Sequence, residues 1–116
     1  MSEHDRIDDA EILWRRIHVT HLVDTGGGPR AASAAFKTTD LSIDRAGLVE
    51  SAGGDIRVTA AGGAGVAELA ALQYRTVALE PVPDPIPENP AHAIVRGVIS
   101  RGQATALSRA CVFRPI

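Results

Sequence analysis

The chain has 116 residues, 45% apolar and 22% charged, with a formal net charge of −2. That length points to one domain with a real core, and the apolar share excludes a disordered chain. The near-neutral balance, without any basic run, lacks the basic excess of nucleic-acid binders, and no apolar run approaches the ~18 residues of a membrane span.

Aromatic residues are 3% of the chain (Trp14, Phe36, Tyr74 and Phe113). Packing therefore rests on Val, Ile, Leu and Ala, with each aromatic anchoring its region. Lys37 is the one lysine among twelve Lys and Arg, a skew that reads as the codon usage of a GC-rich bacterium. A single cysteine, Cys111, excludes an intramolecular disulfide and reads as a buried structural thiol.

Residues 1–9 are polar and acidic, without a signal-peptide pattern, and read as a frayed tail on a cytoplasmic protein. Residues 12–19 carry Trp14, Ile17 and Val19 and predict a first strand. The glycine run at 26–28 is a turn, residues 31–38 are short and apolar, and 41–44 alternate as a half-buried strand. Residues 55–59 repeat that alternation. In 66–72, Val66, Leu69 and Leu72 stand at helical spacing in an Ala-rich run, so a helix is expected there, with an edge strand as the alternative. Residues 75–79 read as a strand.

Five of the seven prolines then fall at 81, 83, 85, 87 and 90. Proline lacks an N–H and holds φ near −65°, so residues 80–90 read as a stiff, exposed connecting arm of about 30 Å. Residues 91–98 form another strand. Ser100 and Gln103 make a capping box for a helix whose apolar face is Ala104, Leu107, Ala110 and Cys111, and Phe113 closes the core. The order predicts one α+β domain over 10–116, an antiparallel or mixed sheet with a C-terminal helix packed on it.

No catalytic motif stands out. The order strand, Gly62-Gly63-Ala64-Gly65, helix, strand, Glu80 imitates a dinucleotide fingerprint, but Glu68 occupies the position of its third glycine. His18 and His21, with His92 and Cys111, are conceivable metal ligands; on one strand the first two point to opposite faces. Arg15 or Arg16, Ser33 and Glu80 follow the residue order of ADP-ribosyltransferases, in which arginine holds the NAD phosphates and glutamate stabilises the ribosyl cation. Each pattern is more simply a turn, a structural histidine or a surface ion pair, and the reading assigns no metal and no cofactor.

Trp14-Arg15-Arg16-Ile17-His18, Ala32-Ser33-Ala34-Ala35-Phe36-Lys37 and Pro90-Ala91-His92-Ala93 together resemble a set of small uncharacterised bacterial proteins. These have an R-R-I start, an S-S-A-A-F segment and a late P-A-H-A segment. Ala32 stands where their first serine is found. The resemblance spans most of the chain and implies a stand-alone domain without bringing an activity. The expected function is non-catalytic binding of another protein, through the proline arm and Arg15, Arg16, Ser33, Lys37 and His92. The rival is a small enzyme or nucleotide-binding domain whose Arg16, Ser33, Glu80 and His92 meet in one pocket.

Overall fold

The computed structural model describes residues 6–24 and 26–116. Among these, eight strands form: β1 (Ile12–Ile17), β2 (Leu22–Asp24), β3 (Pro29–Ala31), β4 (Thr39–Arg45), β5 (Gly65–Ala70), β6 (Pro81–Pro83), β7 (His92–Val98) and β8 (Val112–Pro115). The helices are α1 (Ala46–Ser51), α2 (Ile56–Thr59), α3 (Ala71–Arg75) and α4 (Arg101–Ala110). Six strands build one antiparallel sheet in the order β6-β7-β4-β1-β5-β8, and β2 and β3 pair as a separate hairpin. The architecture is α+β, as the sequence predicts. None of the described helices is long and apolar enough to cross a membrane.

Alternation along the strands feeds two cores. One face carries Leu13 and Ile17 of β1, Leu41 and Ile43 of β4, Leu69 of β5 and Val95 of β7, covered by Phe36, Tyr74, Ala104 and Leu107. The other holds Trp14, Val66 and Ala91 under Ala46 and Val49 of α1 and Ala60, with Ile56 of α2 packed against them. Phe36 and Tyr74 are fully buried, each contributing on the order of 1.5–3 kcal/mol by the area removed from water. Phe113 is partly buried against the first core.

The capping box forms as predicted: Gln103 N–H donates to Ser100 Oγ (3.2 Å) and Ser100 N–H to Gln103 Oε1 (2.9 Å). Gln103 Nε2 also donates to Val77 O (2.8 Å), docking α4 on the turn after α3. Ala104 and Leu107 are buried, but Ala110 is exposed and Cys111 half-buried. Ser108 takes the fourth inward position by donating to Ala31 O (2.8 Å).

Three local expectations are corrected. Residues 65–70 are a strand, because β5 lies between β1 and β8 with cover on both faces; such a strand reads as a continuous apolar run in which helical spacing arises by chance. Residues 56–59 are one helical turn, since Asp55 Oδ1 accepts from Arg57 N–H (2.9 Å) as an N-cap. Residues 75–79 are the end of α3 and its turn, where Ala78 takes a left-handed φ of 63° and Leu79 N–H reaches Tyr74 O (3.0 Å).

The ends of the proline segment also differ from a free arm. Val82 pairs with Ile94, and Asp84 N–H donates to His92 O (2.9 Å). Pro81 and Pro83 therefore turn their donor-less backbone outward, the arrangement proline tolerates on an edge strand. Ile86 and Asn89 exchange both backbone hydrogen bonds (3.2 and 2.9 Å), folding the rest into a tight turn. The tail expected at 1–9 lies partly outside the described residues; within them, Ile7 is buried in the main core and its carbonyl accepts from Arg75.

Two measurements check this packing. A Cβ at Gly65 would overlap the Arg114 carbonyl of β8, so Gly65→Ala should lower unfolding free energy by about 1–3 kcal/mol in urea titration. The Tyr74 hydroxyl is buried with no hydrogen-bond partner among the described residues, and burial raises its pKa. Tyr74→Phe should leave stability unchanged or raise it by about 1 kcal/mol in the same assay.

Candidate functional site

β1 and β4 pair only at Leu13↔Arg45 and Trp14↔Asp44. Arg45 N–H donates to Ala91 O, so alternate residues Asp44 and Ser42 direct their backbone groups toward β1. Beyond Trp14 the strands part. The Arg15 guanidinium takes the place of the missing ladder, donating from Nη1 to Ser42 O (3.1 Å) and from Nε to Ala35 O (3.2 Å). Burial lowers its pKa, opposed by the nearby Tyr74 and reinforced by Arg16.

The split opens a cleft of about 480 Å³ on the Trp14 face, lined by Trp14, Arg16, Ser42, Asp44, Thr59 and Asn89 among others. Asp44, 8% exposed, stands at its floor. Thr59 Oγ1 donates to Asp44 Oδ2 (2.6 Å), and Asn89 Nδ2 donates to Oδ1 (2.8 Å). One carboxylate thus ties α2 and the proline turn to the sheet. Hydrogen bonds to a charged acceptor run about 1.5–3 kcal/mol each.

The same two tethers shape a second, mainly apolar groove of about 220 Å³ between α1, α2 and the turn. Leu48 and Val58, 40% and 56% exposed, line it with Asn89 and Pro90. Val58 and Asn89 line both hollows, so they run together as one surface. Arg16 lies at the polar end, donating from Nη1 to Ala61 O (3.1 Å), its one hydrogen bond among the described residues. Trp14 Nε1 donates to Glu68 Oε1 (2.9 Å), which also accepts from Arg114 (3.0 Å).

The residues singled out from the sequence scatter. Only Arg16 lines this surface with an exposed side chain. Arg15 is a brace inside the split. His92 Nδ1 is spent on Asp84, 3.0 Å from its carbonyl and 3.2 Å from its carboxylate. Glu80 is held by Arg75 through both carboxylate oxygens. Ser33 opens a 3-10 turn (Ser33–Ala35) beside α4, and Lys37 is exposed just after it. Arg16, Ser33 and Glu80 line three different clefts, and the convergence that the enzyme reading requires does not occur.

The glycine run leads into strand β5, so no helix N-terminus stands behind it. Gly63 is required instead by the close passage of β1: a Cβ there would lie 2.7 Å from Ile17 O. No group of three or more His, Cys, Asp or Glu gathers in metal-binding geometry among the described residues. Sequence reasoning missed Asp44, Thr59, Asn89, Leu48 and Val58. The one available signal was Asp44, an acid bounded by Ile43 within an alternating strand.

Comparison with protein-family models, with curated proteins and with solved structures gives no match. The geometry of the surface therefore carries the functional argument.

Asp44→Ala leaves Thr59 and Asn89 without their acceptor. It should cost about 1–3 kcal/mol in thermal or urea unfolding, with faster amide exchange at α2 and residues 86–89 than in the wild type.

Proposed function

We propose that the protein acts without catalysis of its own, by holding a segment of another protein in the joined groove and cleft. The observation that carries this reading is the pair of exposed apolar side chains, Leu48 and Val58, set in a groove that the Asp44 tethers hold open. Binding surfaces take most of their affinity from such pre-shaped apolar pockets with a polar rim. Arg16 at the polar end favours a partner segment with an apolar anchor beside an acidic residue. The proline segment contributes as the groove wall at Asn89 and Pro90, in place of the free arm expected from its composition. A bacterial cytoplasmic accessory component fits this reading.

The test is quantitative recovery of a stoichiometric partner from host lysate with tagged protein. Leu48→Asp, Val58→Asp and Arg16→Glu, all at exposed positions, should each reduce recovery at least tenfold while the thermal midpoint stays near wild type. Val98→Asp, at the far end of β7, should leave it unchanged. Equal recovery by the groove variants, or absence of a stoichiometric partner, overturns the reading.

A further inference from the structure

On the opposite face of the sheet, a cleft of about 340 Å³ lies between the β2–β3 hairpin, the Ser33 turn and α4. Arg30 and Arg109 line it, with Ser33, Thr105 and Ser108. Neither guanidinium makes a hydrogen bond or ion pair among the described residues, and neither do the Ser33 and Thr105 hydroxyls. Four donor groups thus face one hollow.

Among the described residues, no carboxylate lines the cleft. The nearest along the hairpin, Asp24, pairs with Pro29, whereas Val23 pairs with Arg30. Cross-strand partners share a face, so Asp24 lies on the other side of the hairpin from Arg30; its Oδ1 accepts from Gly26 N–H (2.9 Å). The walls are also fixed to one another: Ser108, 6% exposed, donates to Ala31 O (2.8 Å), and Ala32 N–H donates to His21 O (2.8 Å). Arg30 and Arg109 are therefore carried on elements already docked together.

In a chain of net charge −2, two arginines without counter-charge among the described residues, set beside two hydroxyls, are a local reversal of sign. From this convergence of donors we infer a binding site for a phosphate group, free or carried as a monoester on a small molecule. Guanidinium groups match phosphate oxygens in a forked geometry, and hydroxyl donors complete the shell. Val23, 38% exposed on the same rim, offers apolar contact to whatever bears the phosphate. The site is independent of the groove on the other face.

The test is amide-resolved NMR titration of the full chain at low salt with inorganic phosphate and, separately, with AMP, against sodium chloride of equal ionic strength. Inorganic phosphate should produce saturable shifts at Arg30, Ser33, Thr105 and Arg109 that chloride does not. Arg30→Gln and Arg109→Gln should each weaken binding about tenfold with an unchanged thermal midpoint, and Lys37→Gln should not. Tighter binding of AMP identifies a phosphomonoester as the source, and equal or weaker binding identifies the free anion. Absence of saturable shifts, or shifts that survive both arginine substitutions, overturns the inference.

Discussion

The early parting of β1 from β4 is the constraint on which the rest of the molecule depends. A sheet that splits leaves carbonyl groups facing a gap, and those away from water need a donor from elsewhere in the protein. Arg15, half-buried in the split, supplies donors there, bridging Ser42 O at the exposed side and Ala35 O deeper in with one guanidinium. Keeping a desolvated cation there is unfavourable in itself, as its lowered pKa reflects, and the carbonyl contacts offset the loss of water. On the other side of the gap, Asp44 gathers α2 and the proline turn. The opening between the strands thus becomes a shaped surface instead of a collapsed seam.

Both rims of the sheet carry proline. In β6 the donor-less nitrogens of Pro81 and Pro83 face away from β7, with Pro81 itself covered and Pro83 half-buried. At β8, Ile116 N–H donates to Ala64 O (3.3 Å), which sets the even positions toward β5 and leaves Pro115 facing out. Edge strands with missing donors are poor templates for another strand. Association through sheet extension is therefore disfavoured at either end. This leaves the sheet faces as the surfaces available for recognition, consistent with a groove on one face and a donor-rich cleft on the other.

The sequence made the sheet class and α4 legible because those features are local. Ser100 and Gln103 signal their helix within four residues, and Leu41, Ser42 and Ile43 alternate buried, exposed, buried. β5 was not legible, because a strand covered on both faces has no polar side to alternate with. The turn at Ala78 was hidden for a different reason: a left-handed alanine is disfavoured locally and persists because the buried Tyr74 and Leu79 on either side are held by the core. The candidate site was hardest to see. Its determinants, Asp44, Thr59 and Asn89, are single polar residues far apart in the chain, and what unites them is the failure of two strands to stay paired. Arginine and histidine attracted attention by chemical type, whereas Arg15 and His92 are consumed by backbone and carboxylate partners.

The position of β1 sets the order in which the chain can assemble during synthesis. It precedes the other described strands in the chain, yet it lies inside the sheet, and its contact from Trp14 to Glu68 spans 54 residues. At roughly 5–20 residues per second on the ribosome, that partner emerges seconds after β1 itself. Throughout that interval Leu13, Trp14 and Ile17 have no β5 to cover them. The apolar residues of this strand are thus open to other contacts on the ribosome for as long as β5 is unmade.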